Sequence, residues 1–178
     1  RQDIYTHIHG SYYQSVLNLL EVTADPDRLC SQVYDEDEMI PLHLEANQLV
    51  AVFQIYFNKL ILSYLFQRYE QALENASRAE QYLNTATGLL HTLLFSFYDA
   101  LIRLASYPTA SETEQTSILE RVTVHQENLD RWAVHAPSNQ THRCALVAAE
   151  RCRILGQKSD AIDLYDHAIA DAKANEYI

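Results

Sequence analysis

Apolar residues recur at helical spacing along almost the whole chain. Ile4, Ile8, Tyr12, Ser15–Val16 and Leu19–Leu20 fall on one stripe and predict a helix over roughly 2–22. The pattern lapses between Thr23 and Pro41, where Asp25-Pro26-Asp27 and the run Asp35-Glu36-Asp37-Glu38 read as a long irregular stretch. A strongly apolar helix is expected over about 43–66, and a third over about 69–84, with Glu74 and Arg78 spaced for an i,i+4 pair. A fourth runs over about 87–106 and stops before Pro108. Ser111 with Glu114 three residues on is a capping-box pattern that opens a fifth helix over about 112–135, ending before Pro137. Ser138 is placed to cap a sixth over about 139–155, closed by Gly156, and a seventh follows over about 158–174. No segment alternates with period two long enough to predict a strand. The expected class is all-α, with about seven helices.

Short connections between such helices suggest antiparallel pairs, so internal self-similarity is the next question. Two stretches align, 89 residues apart. Leu65-Phe66-Gln67-Arg68-Tyr69-Glu70-Gln71-Ala72-Leu73, with Ala76 and Ala79, matches Ile154-Leu155-Gly156-Gln157-Lys158-Ser159-Asp160-Ala161-Ile162, with Tyr165 and Ala168. A small residue at 72 or 161 lets the two helices of a hairpin approach closely, and Ala79 or Ala168 packs on the next repeat. Both stretches resemble the turn and second helix of the tetratricopeptide repeat, with Gln67 where Gly is usual and Lys158 where Tyr is usual. The resemblance implies a right-handed solenoid of antiparallel helix pairs. The chain then reads as one helical-repeat domain, 1–178. It comprises an N-terminal helix and loop (1–41), repeat 1 (42–85), an expanded degenerate repeat 2 (86–136) and repeat 3 (137–178).

Longer stretches carry a more specific likeness. LFQRYEQALENASRAEQYLNTATGLL (65–90), FYDALIRL (97–104) and HAPSNQTHRCALVAAERCRILGQKSDAIDLYDHAIADAKANEYI (135–178) resemble the helical-repeat region of very large microbial signalling proteins. In those, a serine/threonine kinase domain and an AAA-type ATPase module precede the repeats, and a GAF sensor domain and a histidine kinase follow. His135-Ala136-Pro137 and the ending Ala172-Lys173-Ala174-Asn175-Glu176-Tyr177 are the distinctive pieces, and Gln140-Thr141 stands where the family is apolar. The resemblance implies a non-catalytic scaffold between signalling modules, because every catalytic motif of that family lies outside this region.

Composition narrows the chemistry. Only three Gly and four Pro are present. Gly10, Gly88 and Gly156 are too far apart to build a Walker loop or a dinucleotide turn. Thirteen Lys+Arg against 24 Asp+Glu give a net charge of −11, and the ten Arg and three Lys are scattered singly. Without a basic stripe, nucleic acid and anionic membrane are not expected partners. From Leu49 to Phe66, 14 of 18 residues are apolar, yet Lys59 sits near the middle. A central Lys costs about 2.5–3.5 kcal/mol on insertion scales, so a helix sandwiched between others is the better reading. Cys30, Cys144 and Cys152 form neither a disulfide framework nor a zinc pattern, and read as small buried groups in a reducing, cytoplasmic setting. The first residue is Arg1 rather than Met, which reads as a segment of something longer.

Reactive constellations are scarce. His7 and His9 point apart on a helix. His135 and His142 flank the Pro137 turn without a Cys or carboxylate at ligand spacing. Asp35–Glu38 lacks the spacing of a calcium loop, and no G-x-S-x-G elbow occurs. No catalytic residue, metal or cofactor is expected. What remains is a surface: the register of Gln67 and Gly156 places Gln54, Phe57, Ile61 and Tyr64 on the concave face of one repeat, and Arg143, Leu146, Glu150 and Arg153 on that of another. The expected partner is protein, either a neighbouring domain or a peptide, and the expected function is that of a scaffold. The alternative is a free-standing adaptor that binds a peptide in this groove. Self-association through an apolar end face after the last hairpin is also expected.

Overall fold

A computed structural model describes residues 2–20, 25–32, 34–88 and 90–177, and only the backbone of 2–8. The described residues form eight α-helices: α1 (Gln2–Leu20), α2 (Glu36–Glu45), α3 (Leu49–Leu65), α4 (Tyr69–Glu80), α5 (Leu90–Ser106), α6 (Glu112–His135), α7 (Pro137–Ile154) and α8 (Lys158–Ala174). Short 3-10 turns lie at Leu83–Ala86 and Tyr107–Thr109. No strand occurs among the described residues, only an isolated bridge between Cys30 and Asp35. The class is all-α.

The extra helix is α2, which occupies part of the stretch expected to be irregular. Asp35 caps it, accepting from the Asp37 amide at 2.9 Å, and Glu36, Asp37 and Glu38 fill the first turn where the helix dipole favours negative charge. The acidic run is therefore a helix start, and Pro41 is tolerated inside this short helix on an exposed face. Two boundaries also move. The apolar helix begins at Leu49 rather than 43, and α7 opens on Pro137 at its first position, with no side-chain cap from Ser138. The capping box of Ser111 and Glu114 is present as expected.

The chain divides into two compact units, Arg1–Thr92 and Leu93–Ile178. In the first, α3 is central and packs against α1, α2 and α4. Val52, Phe53, Ile55, Leu60 and Leu62 are buried along it. Its polar residues Gln54, Asn58 and Ser63 are buried and Lys59 is half-buried, each with a partner. Gln54 donates to Asn58 at 3.0 Å, Lys59 pairs with Glu36, and Ser63 donates to Asp27 at 2.9 Å and accepts from Asn75 at 3.1 Å. Arg68 holds Asp25 and Asp27 at 2.7 and 2.8 Å. The Leu29 amide donates to Glu36 at 2.9 Å, so the segment before α2 is tied to α3 and its C-terminal turn. No helix of the described residues is long and apolar enough to cross a membrane.

Helix α1 reverses the expected orientation of its stripe. Tyr12, Val16, Leu19 and Leu20 are exposed, whereas Ser11, Gln14 and Asn18 are buried. Polar partners make this face the inner one: Asn58 lies 3.5 Å from Ser11, and Asn18 donates to the carbonyls of Pro26 (3.0 Å) and Arg28 (2.7 Å). The Ile4 and Ile8 side chains of the predicted stripe, and that of His7, lie outside the described residues.

In the second unit, α7 packs against both α6 and α8. Val122, Leu129, Val147 and Ala149 are buried there, and α8 contributes Ala161, Ala168 and Ala172.

One turn recurs four times. After α3, Gln67 adopts φ 59°, with the Gln67 amide bonded to Tyr64 O (3.0 Å) and the Arg68 amide to Ser63 O (2.8 Å). After α7, Gly156 adopts φ 75°, with the same bonds to Arg153 O (3.2 Å) and Cys152 O (2.9 Å). Asn47 (φ 53°) after α2 and Glu176 (φ 61°) after α8 repeat it. These are Schellman ends, in which a left-handed residue lets the last carbonyls find donors. A left-handed residue with a Cβ carries roughly 1–2 kcal/mol of strain. Gln67→Gly is therefore expected to raise stability by about 0.5–1 kcal/mol, the relief exceeding the extra freedom of the unfolded chain. Gly156→Ala, with open space around the added Cβ but the same φ, is expected to lower stability by about 1 kcal/mol. Guanidinium denaturation of both variants measures the pair.

Candidate functional site

The predicted groove residues follow the same register on two helices, α3 and α7, one in each unit. On α3, Gln54 and Phe57 are 4% and 1% exposed, so they belong to the interior and not to an open groove. Phe57 stacks on Phe53 at 5.8 Å and meets the edge of His91, also at 5.8 Å. The physical reason is that α3 is enclosed by its neighbours, so its apolar positions pack in nearly every direction. Ile61 and Tyr64 are half-buried, and Tyr64 leans on Tyr69 at 6.3 Å.

On α7 the four residues lie along one accessible face. Arg143 and Leu146 are half-buried, as is Glu150, while Arg153 is exposed. Arg143 donates to Asn139 O at 2.7 Å and lies over the Tyr177 ring, 5.5 Å from its centroid. Tyr177 in turn donates to Asn139 Oδ1 at 2.9 Å and packs on His142 at 4.4 Å. One helical turn or more away, Arg153 grips Glu150 Oε2 with two nitrogens at 2.9 and 2.7 Å. Glu150 Oε1 accepts from the Tyr165 hydroxyl of α8. Burial, and then that carboxylate, push the Tyr165 phenol up to about 12, so it remains a donor at any ordinary pH. The face therefore presents two guanidinium groups and two phenols around Leu146, with one carboxylate already engaged. Its guanidinium groups and phenols are of the kind that bind backbone carbonyls and carboxylates.

Three residues of the acidic run are committed to structure. Asp35 caps α2, Glu36 holds Lys59 and Leu29, and Asp37 pairs with Arg28 at 2.7 Å. His142 faces Tyr177, with Nδ1 3.8 Å from Asp171; burial and then Arg143 lower its pKa. His9 and His135 are exposed. No group of three or more His, Cys, Asp or Glu among the described residues is placed to hold a metal ion. All three cysteines are free, but only Cys144 is buried, its thiol pushed up to about 12 by that burial. Cys30 is exposed, contrary to the expected burial, because it sits at the edge of the bridge to Asp35, to which its thiol donates at 3.5 Å.

Sequence reasoning missed one cluster in the second unit. Asp99 of α5 is fully buried, and its Oδ2 receives His125 Nε2 at 2.6 Å, Arg103 Nε at 2.8 Å and Arg121 Nε at 3.4 Å. Burial alone would raise this carboxyl, but the bonds from His125 and Arg103 outweigh it and hold the group down at about 2. Asp99 Oδ1 and His125 Nδ1 are buried without a hydrogen-bond partner. The Phe95 ring stands edge-on to His125 at 6.5 Å. The signal was an Asp inside an apolar stretch, four residues before an Arg, matched by Arg121 and His125 four apart on the next helix. The cluster ties α5 to α6.

Comparison with known protein families, with curated proteins and with solved structures gives no match to this chain.

Proposed function

We propose that the chain is a non-catalytic helical-repeat scaffold, a regulatory segment of a multidomain signalling kinase and ATPase that makes contacts within or between protein molecules. In this reading its helix pairs stack as antiparallel hairpins in a right-handed solenoid of tetratricopeptide type. The stack flexes as a unit and transmits orientation to the domains on either side. The observation that carries the reading is the recurrence of one helix–turn–helix geometry. The turns at Gln67 and Gly156 share their left-handed residue and hydrogen bonds, and Ala72 and Ala79 are buried like Ala161 and Ala168. The α7 face of Arg143, Leu146, Glu150 and Arg153 is the contact surface of the second unit; in the first unit, Ile61 and Tyr64 of α3 remain partly accessible.

The alternative, a free-standing adaptor for a peptide, draws support from Arg143 beside the exposed Tyr177 ring, a pairing that suits a carboxylate or carbonyl ligand. Hydrogen exchange separates the two. For the scaffold, the amides of 143–153 are expected to exchange at least about tenfold more slowly in the full natural protein than in the isolated chain. Equal exchange in both would overturn the scaffold reading. Protection appearing only when a partner peptide is added would favour the adaptor.

A further inference from the structure

We propose that the outward apolar face of α1 is a self-association surface on which two copies of this chain pair about a two-fold axis. Tyr12, Tyr13, Val16, Leu19 and Leu20 are 50%, 55%, 44%, 48% and 77% exposed, and at spacings of three, four and seven they form one continuous stripe. Isolated exposed apolar residues are ordinary; five on one face of one helix are not.

The helix cannot roll to hide them. Its opposite face is fastened by Asn18 to the carbonyls of Pro26 and Arg28, by Gln14 to Asn18 at 2.8 Å, and by Asn58 to Ser11. Gly10 fixes the rotation independently, because a Cβ there would stand 3.0 Å from the Tyr34 ring. A residue with a Cβ turned to that contact would press on the ring, which resists a roll of the helix and keeps the apolar stripe facing outward.

Area and charge select the occupant. The five side chains offer about 600 Å² of exposed surface, so two copies face to face would bury about 1,200 Å², the lower edge of a specific interface. From Ile4 to Leu20 the sequence contains no Asp, Glu, Lys or Arg. In a chain of net charge −11, this is a face on which two copies can meet without opposing carboxylates. A basic partner would gain nothing from it and would be drawn to the acidic surface elsewhere. The outer stripe of α8 is the poorer candidate: Ile162 and Ile169 are exposed, but Asp166 lies between them and Lys173 beyond. Self-pairing through one patch gives an isologous dimer, which closes and does not polymerise.

Sedimentation equilibrium tests this. The average mass of the chain is expected to rise with concentration towards twice the 20.5 kDa of one copy and to stop there. Val16→Glu with Leu20→Glu is expected to weaken pairing at least about a hundredfold, with helical circular dichroism unchanged, because each glutamate would be desolvated at the contact. Val16→Ser with Leu20→Ser, a milder pair, tests the same point if the glutamates reduce helicity. Ile162→Glu with Ile169→Glu is expected to leave pairing intact. A chain that stays at one-copy mass at all concentrations, pairing that survives both α1 variants, or pairing lost in the α8 variant would each overturn the proposal.

Discussion

Replacement of Asp99 by Ala is expected to destabilise the unit 93–178 by about 3–5 kcal/mol, the range for breaking a buried ion pair from one side. The reason is the state in which it leaves its neighbours. Arg103 and Arg121 keep 23% and 33% of their side chains in solvent and can turn to water, but His125 keeps 7% and cannot. The relief available to the arginines places the loss near the lower end of the range. Urea denaturation followed at α5 and α6, where Phe95 and His125 report, measures it. The same carboxylate sets an acid limit. Its folded value of about 2 lies below its ordinary 3.8, so its contribution is complete above about pH 4 and lost as the pH falls through about 2. The shift corresponds to about 2 kcal/mol. Between these values Asp99→Ala is expected to lose stability less steeply than the natural chain.

Glu36→Ala is expected to cost the unit 1–92 about 3–5 kcal/mol, and here two losses combine. Lys59 would keep a charge in the middle of an apolar helix with 15% of its side chain exposed, and the buried Leu29 amide would lose its acceptor. Lys59→Met in addition should recover part of the loss, since the charge is gone and the thioether packs on the same stem, while the Leu29 amide stays orphaned. A double-mutant cycle by urea denaturation separates the two contributions. Equal stability of the single and double variants would show that Lys59 reaches water unaided.

Where the sequence was readable, local chemistry was unambiguous. Ser111 and Glu114 set the start of α6, the span of α8 follows from its periodicity, and Lys59 already indicated an enclosed helix, not a membrane span. The unread parts share one cause: periodicity reveals a stripe but not what will lie against it. On α1 the polar side found Asn58 and free carbonyls, so the apolar side turned outward. On α3 nearly every direction is apolar, so the register that aligned Phe57 with Leu146 could not separate interior from groove. The turns at Asn47 and Glu176 went unseen because neither carries the Gly that betrays a left-handed residue, and the acidic run before Met39 looked like loop because its capping Asp35 is itself one of four acids.

The corner at Gln67 follows the one at Asn47 by twenty residues, and the corner at Glu176 follows the one at Gly156 by the same number. A single residue inserted between two such corners would swing everything beyond it by about 100° around the helix axis, carrying a buried alanine into solvent. Added residues are thus expected to be tolerated better in spans outside the corners, such as 81–88 and 107–111, than in the rod segments between them.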